Sequence, residues 1–229
     1  MVEKIRVSLW DIFSFFLTGL LAALVLVAFF VAFGDVTVKE LFNVISAFPA
    51  SITLVGAPLT FTLFGMVIEP FANYFDSHIL NFNLGWISRP KDKHSQEEII
   101  LKEEIRTKYM GSLNGRIENP FGMCKEYVET KQLSTTFMVY LSRYGFYRNC
   151  AFISVASGIA SLFLASWCVG IIGMLCGLAF AAVFKRRAGD FYSLMAPSVY
   201  RAFLIDKVSW APVTGTASSS QPTPPTGEG

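Results

Sequence analysis

The sequence is poor in charge, in histidine and in cysteine pairs. Asp, Glu, Lys and Arg make up 16% of its 229 residues, where roughly a quarter is usual in soluble domains. That scarcity excludes an ordinary soluble globular domain. A net charge of +2 is too small for nucleic acid to be the main partner, because that affinity comes from many Lys and Arg contacts to phosphate, and no direct nucleic-acid binding is expected. The only histidines, His78 and His94, stand at no ligand spacing from Cys124, Cys150, Cys168 or Cys176, so no zinc site is expected. One cysteine lies in a charged stretch. The other three lie in or beside apolar ones, where cysteine behaves as a small hydrophobe and not as part of a disulfide framework. No nucleophile–base pair can be named and no glycine-rich phosphate loop is present. The expectation is a protein without catalytic residues, cofactor or metal.

What the chain has instead is apolar length. Hydrophobic residues make up 53% of it, and 22 are Phe, more than a soluble surface tolerates. The stretch from Ile12 to Gly34 carries no charge and as a helix covers roughly 34 Å, enough for a ~30 Å hydrocarbon core. It is too long for a signal-peptide core and no small-residue cleavage site closes it, so it reads as a retained span. A second uncharged stretch, Leu41 to Ile68, divides at Pro49. Thr37-x-x-Glu40 is a capping box followed by Leu41, Phe42, Val44, Ile45 and Phe48 at helical spacing, which predicts an interfacial helix over 38–47. Pro49 then suits the first turn of a span ending at Ile68, and Pro58 inside that span predicts a kink. The third stretch, Asn149 to Phe184, would be roughly 54 Å long as one helix. Two spans joined by a hairpin fit better, with Trp167 as an interfacial anchor and Gly170 easing the bend.

Basic residues orient the spans. Four spans place 18 of the 19 Lys and Arg residues on one side, leaving only Lys39 on the other, as the positive-inside rule requires; three spans would strand Lys185, Arg186 and Arg187 outside. The fold expected is therefore an all-α integral membrane protein with four transmembrane helices and a small helical cytoplasmic lobe between spans two and three. Its parts are a cytoplasmic N-terminus (1–11), the first span (12–34), a short external loop with the interfacial helix (35–48), the second span (49–68), the lobe (69–144), the third span (145–166), an external hairpin (167–168), the fourth span (169–187), a juxtamembrane helix (188–214) divided or kinked by Pro197, and a disordered Ser/Thr/Pro/Gly tail (215–229). Both termini are expected in the cytoplasm.

Within the lobe, Phe71, Phe75, Ile79, Phe82 and Trp86 suggest a continuation of the second span or an interfacial helix. Ser95-x-x-Glu98 opens a helix over 96–110 that Gly111 ends, with Glu98–Lys102 and Glu104–Lys108 as i,i+4 pairs. Its stripe of Leu101, Ile105 and Tyr109 packs on the rest of the lobe or docks a cytosolic protein or ribonucleoprotein seated on residues 87–134. Asn114-Gly115 and Pro120-Phe121-Gly122 mark breaks. A second helix begins near Met123 and runs, interrupted near Ser134, into the third span.

No ionisable residue lies at mid-depth, which argues against a proton-coupled transporter; Glu69 reads as a solvated boundary carboxylate. Small residues recur every four positions at Ser157, Ser161 and Ala165 and again at Gly173, Gly177 and Ala181, with a weaker series at Gly19 and Ala23. These smooth stripes pack the hairpin helices together or make a homo-oligomer. Arg143, Arg148, Arg186, Arg187 and Arg201, interleaved with Tyr144, Tyr147, Tyr192 and Tyr200, fall at the cytoplasmic boundary, where they contact anionic lipid or bind a partner or other anion.

Three segments carry a family likeness: DIFSFFLTGLLAAL in the first span, SRYGFYRNCAF opening the third, and RRAGDFYSLMAPSVYRAFL after the fourth. Together they cover about a third of the chain. They resemble small membrane proteins of bacterial antiphage systems, namely retron-associated transmembrane effectors and the membrane subunit of Kiwa-type systems, although Thr18 stands where such proteins have Pro. The resemblance implies a toxin-like, non-enzymatic effector of the inner membrane that perturbs the bilayer when a cytosolic partner releases or triggers it, stopping growth as abortive infection. The alternative is a constitutive membrane scaffold or a transport-associated subunit.

Overall fold

The computed structural model describes residues 9–34, 36–78, 96–110, 119–131, 133 and 135–207. The N-terminal residues 1–8, the turn at 114–115, Ser95, Gly111, Ser134, the stretch holding Ile79, Phe82 and Trp86, and the expected disordered tail all lie outside them. Among the described residues there are seven helices and no strand: α1 Leu9–Phe33, α2 Val38–Ser46, α3 Ala50–His78, α4 Gln96–Tyr109, α5 Phe121–Thr130, α6 Thr135–Leu164 and α7 Trp167–Lys207. Four are long and apolar enough to cross a membrane, over Ile12–Phe33, Ala50–His78, Thr136–Leu164 and Trp167–Lys207. The chain is an all-α multi-pass membrane protein.

Local chemistry places the helix ends. Thr37 N–H donates to Glu40 Oε2 (2.8 Å) and Glu40 N–H to Thr37 Oγ1 (3.3 Å), closing the capping box that starts α2. Val38, Phe42 and Val44 of that helix stay exposed, as an interfacial helix leaves them. Pro49 caps α3, its carbonyl accepting from Ile52 and Thr53 N–H. The helix then runs unbroken through Pro58 and Pro70 to His78, and Thr62 Oγ1 donates to the Pro58 carbonyl at 2.8 Å, the kind of side-chain bonding that lets a membrane helix carry proline.

Several boundaries differ from the sequence reading. The hairpin turn is Ala165–Ser166, not 167–168, because Trp167 already begins α7. Gly170 does not ease a bend. It lies inside α7, where a Cβ would meet the Ser161 carbonyl at 3.0 Å and Leu162 Cα at 3.1 Å. The helix of the third span begins at Thr135 and so enters the span from the lobe, as expected, and the fourth span and juxtamembrane helix are one helix of 41 residues. Pro197 does not divide α7; it is buried within it.

The spans associate as two pairs. In the first, α1 and α3 run antiparallel and touch backbone to backbone. A Cβ on Gly19 would fall on the Phe61 carbonyl, one on Gly65 would fall on the Phe15 carbonyl, and Phe16 and Phe61 close the contact with ring centroids 6.0 Å apart. In the second, α6 and α7 form the hairpin. A Cβ on Gly177 would lie 2.5 Å from the Ser154 carbonyl oxygen and 3.0 Å from Gly158 Cα, and one on Gly173 would fall on the Ser161 side chain. Lipid supplies little drive for helices to associate, so packing this close is what binds each pair. Ala181 sits with Ala151 and Val155 lower in the same hairpin. The small stripes thus pack within the chain, Gly158 and Gly170 joining Ser161, Gly173, Gly177 and Ala181. Ala165 lies in the turn, and Ser157 bonds to its own helix at the Ser154 carbonyl (2.9 Å). α1 and α6 run parallel, Ser14 meeting Ser142 and Ala22 clustering with Ile153, as a four-span order demands.

Among the described residues, three glycines have no such neighbour: Gly122, Gly145 and Gly189 show no atom within 4 Å of an added Cβ. Each leaves a helix with surplus backbone freedom when unfolded. Gly145→Ala and Gly189→Ala are therefore expected to stabilise by about 0.5–1 kcal/mol each, seen as a raised thermal midpoint in detergent.

The lobe expected over residues 69–144 is too small to fold alone, and it leans on α7. Ile105 and Met110, Cys124 and Val128 of α5, and Phe137 of α6 share one core with Met195, Val199, Tyr200 and Leu204 of α7. Those four α7 residues cover about half of the helix circumference and gain burial only because α7 continues so far past its span. It supplies the wall that two short helices lack.

Candidate functional site

Where α3, α6 and α7 leave the apolar region, charged side chains converge. Glu69, Asn73 and Asp76 line one face of α3; Tyr144 and Arg148, one turn apart, face them from α6; Lys185 comes from α7. Arg148 Nη2 donates to Glu69 Oε1 at 3.2 Å and its Nη1 to Asn73 Oδ1 at 3.1 Å, with the guanidinium 5.6 Å from the Tyr144 ring centroid. Lys185 Nζ stands 3.6 Å from Asp76 Oδ1, and Tyr144 O–H donates to Asp76 Oδ2 at 3.4 Å. Arg148, Lys185 and Asp76 keep only 11%, 16% and 12% of their side chains exposed, against 41% for Glu69. Two acids thus face two bases across the boundary between the helix pairs. Pairs this buried add little net stability, but removing one partner strands the other.

Sequence reading found part of this site. It named Arg148 as a boundary cation and Glu69 as a solvated carboxylate; the correction is that the two are ion-paired. Asn73, Asp76 and Lys185 were missed. The signal lay in the spacing of Asn73 and Asp76 about one and two turns beyond Glu69, since an acidic face beside a span needs a basic partner.

The other boundary arginines separate. Arg143 lies over the Phe191 ring at 5.4 Å, and Tyr147 stacks on the same ring at 5.6 Å. Arg187 is 65% exposed and 3.9 Å from Asp190. Arg143, Arg186 and Arg187 are all exposed. Arg201 is not at the boundary. It lies 14 residues beyond Arg187 on an unbroken helix, roughly 21 Å further along, and clamps Glu97 of α4 with two bonds of 2.5 and 2.7 Å. The same guanidinium holds the Glu97 carboxyl below its ordinary range. Beside it, Tyr127 O–H and Lys131 Nζ reach Asp206 at 2.6 and 3.1 Å and lower that carboxyl too.

The stripe of Leu101, Ile105 and Tyr109 packs on the rest of the lobe, the first of the two readings of it. Ile105 is 1% exposed within the lobe core, Leu101 packs against that core, and Tyr109 meets Phe203 edge to face at 5.6 Å. Leu101 and Ile105 of α4 thus join the core shared with α5 and α7, while Ile99 and Ile100 stay exposed. Among the described residues no three His, Cys, Asp or Glu side chains group to hold a metal ion.

No family model, curated protein or solved structure matches the chain. Its class is set by the fold: a four-span helical membrane protein with a helical lobe at one end and a charged junction between lobe and spans.

Proposed function

We propose that the protein is a non-enzymatic effector of the bacterial inner membrane, with both termini in the cytoplasm, that perturbs the bilayer when a cytosolic partner releases or triggers it, as in abortive infection against phage. The observation that supports this reading is mechanical. α6 and α7 each pass without a break from the lobe core into a span, so a partner that shifts the lobe moves two spans with it. Such a device needs no catalytic group; it needs a resting state of marginal stability that a few kcal/mol of partner binding can bias.

Induced expression of the chain alone in a bacterial host tests the reading. The expected result is depolarisation, seen with a potential-sensitive dye, followed by growth arrest. An undisturbed potential together with co-purification of a larger assembly would instead make the protein a scaffold or transport-associated subunit.

A further inference from the structure

The two helix pairs are joined unlike the helices within each pair. Inside a pair, glycine and serine bring backbones into direct contact. Between the pairs, apolar contact comes from the cluster of Ala22, Ile68 and Ile153 and from Phe75, which packs on Ala151, Val155 and Ala181 and meets Phe152 at 5.5 Å. Polar groups share the seam with them. Ser14 Oγ donates to the Ser142 carbonyl at 3.2 Å. Thr18, one turn further along α1, is fully buried and its hydroxyl has no hydrogen-bond partner. Asn149, two turns beyond Ser142 on the same face of α6, is 1% exposed and its Oδ1 has no partner. Arg148 Nε is likewise buried without one. The ion pairs Glu69–Arg148 and Asp76–Lys185 close the end of this seam.

A buried polar atom without a partner is costly in a low-dielectric bundle, and three of them on one seam favour any state that admits water. We infer that the α1–α3 pair parts from the α6–α7 pair along this seam, that Glu69–Arg148 and Asp76–Lys185 are the latch that holds it shut, and that opening hydrates Thr18 and Asn149. The opening deepens the effector reading and rests on it for its consequence, an ion leak along the seam. Lobe and latch share α6 and α7, so a partner on the lobe acts on the latch through those two helices.

Charge exchange across the latch tests this in the full chain, reconstituted in lipid nanodiscs for amide hydrogen exchange and in liposomes for potassium efflux. Glu69→Arg sets two cations together and Arg148→Glu sets two anions together. Each is expected to speed exchange in the peptides around Thr18 and Asn149 by at least about tenfold, since exchange there reports local opening. The double exchange restores opposite charges and is expected to return it close to the native rate. Unchanged exchange in both single variants, or no recovery in the double one, overturns the proposal. Should the single variants fail to fold, Asn149→Leu supplies the reading. It removes an unpartnered oxygen at similar volume, so exchange slows if the seam opens as inferred, and an equal or faster rate overturns it. Faster exchange without potassium efflux upholds the seam and removes the effector function; efflux with unchanged exchange does the reverse.

Discussion

Gly65→Leu is expected to prevent the first helix pair from forming, an effect matched in the spans only by the same change at Gly19. The contact at Gly65 is with the Phe15 backbone, and the reciprocal contact at Gly19 is with the Phe61 backbone. A backbone cannot yield as the end of a flexible side chain does. Overpacking a core that can adjust costs about 1–3 kcal/mol; here the helices must separate along their length and lose the dispersion that holds them, so the loss should exceed about 3 kcal/mol. The clash begins at the Cβ, and Gly65→Ala should already show most of it. Gly56→Leu, on the same helix with only an Ile52 methyl at 3.9 Å nearby, serves as the tolerated control. The yield of monodisperse protein in detergent and its thermal midpoint measure the difference. Gly19→Leu should match Gly65→Leu, and the double variant should be little worse than either, because both break one interface and their effects do not add. Equal tolerance at Gly56 and Gly65 would mean that α1 and α3 are not in backbone contact.

That contact shows what the sequence made legible and what it hid. Apolar length and the one-sided distribution of Lys and Arg were enough for four spans, because bilayer thickness and charge placement act on the chain one segment at a time. The small residues of the hairpin were legible as stripes, although Gly158 and Gly170 were passed over; a four-residue ladder ignores the neighbouring register that also faces the partner helix. The reach of α7 was not legible. A proline at position 197 ordinarily argues for a break, yet Met195, Val199, Tyr200 and Leu204 gain burial in the lobe only if the helix continues, and tertiary burial outweighs the lost hydrogen bond. The ion pairs at the junction were half visible, since each charge was plain and its partner lay 79 residues away for Glu69–Arg148 and 109 for Asp76–Lys185. Tyr144 and Asp76 are 68 residues apart, and Lys185 comes from a different helix again. Pairing at that distance is a property of the fold.

Ile105→Asp is expected to open the lobe while leaving the spans intact. Ile105 is 1% exposed at the centre of a core drawn from four helices. Truncation there, as Ile105→Ala, should cost about 2–5 kcal/mol; the carboxylate adds the penalty of an unpaired buried charge and should exceed that range. A lobe built on two short helices has little stability in reserve. Cys124 provides the readout. It is 2% exposed in the same core, and burial pushes its thiol up to about 11, so at neutral pH it should resist alkylation in the native protein while the exposed Cys168 reacts as an internal standard. At roughly 1.4 kcal/mol per tenfold, Ile105→Ala should raise Cys124 labelling by at least about 30-fold, and Ile105→Asp should leave it as accessible as in denaturant. Tyr109→Ala, at the 39% exposed rim of α4, should have a much smaller effect. Far-ultraviolet circular dichroism should change little in either case, because most of the helix lies in α1, α3, α6 and α7. Protection of Cys124 surviving Ile105→Asp would show that α4 is not part of the core. Loss of protection with a membrane that stays tight would separate the lobe from the spans, and with it remove the coupling on which the effector reading depends.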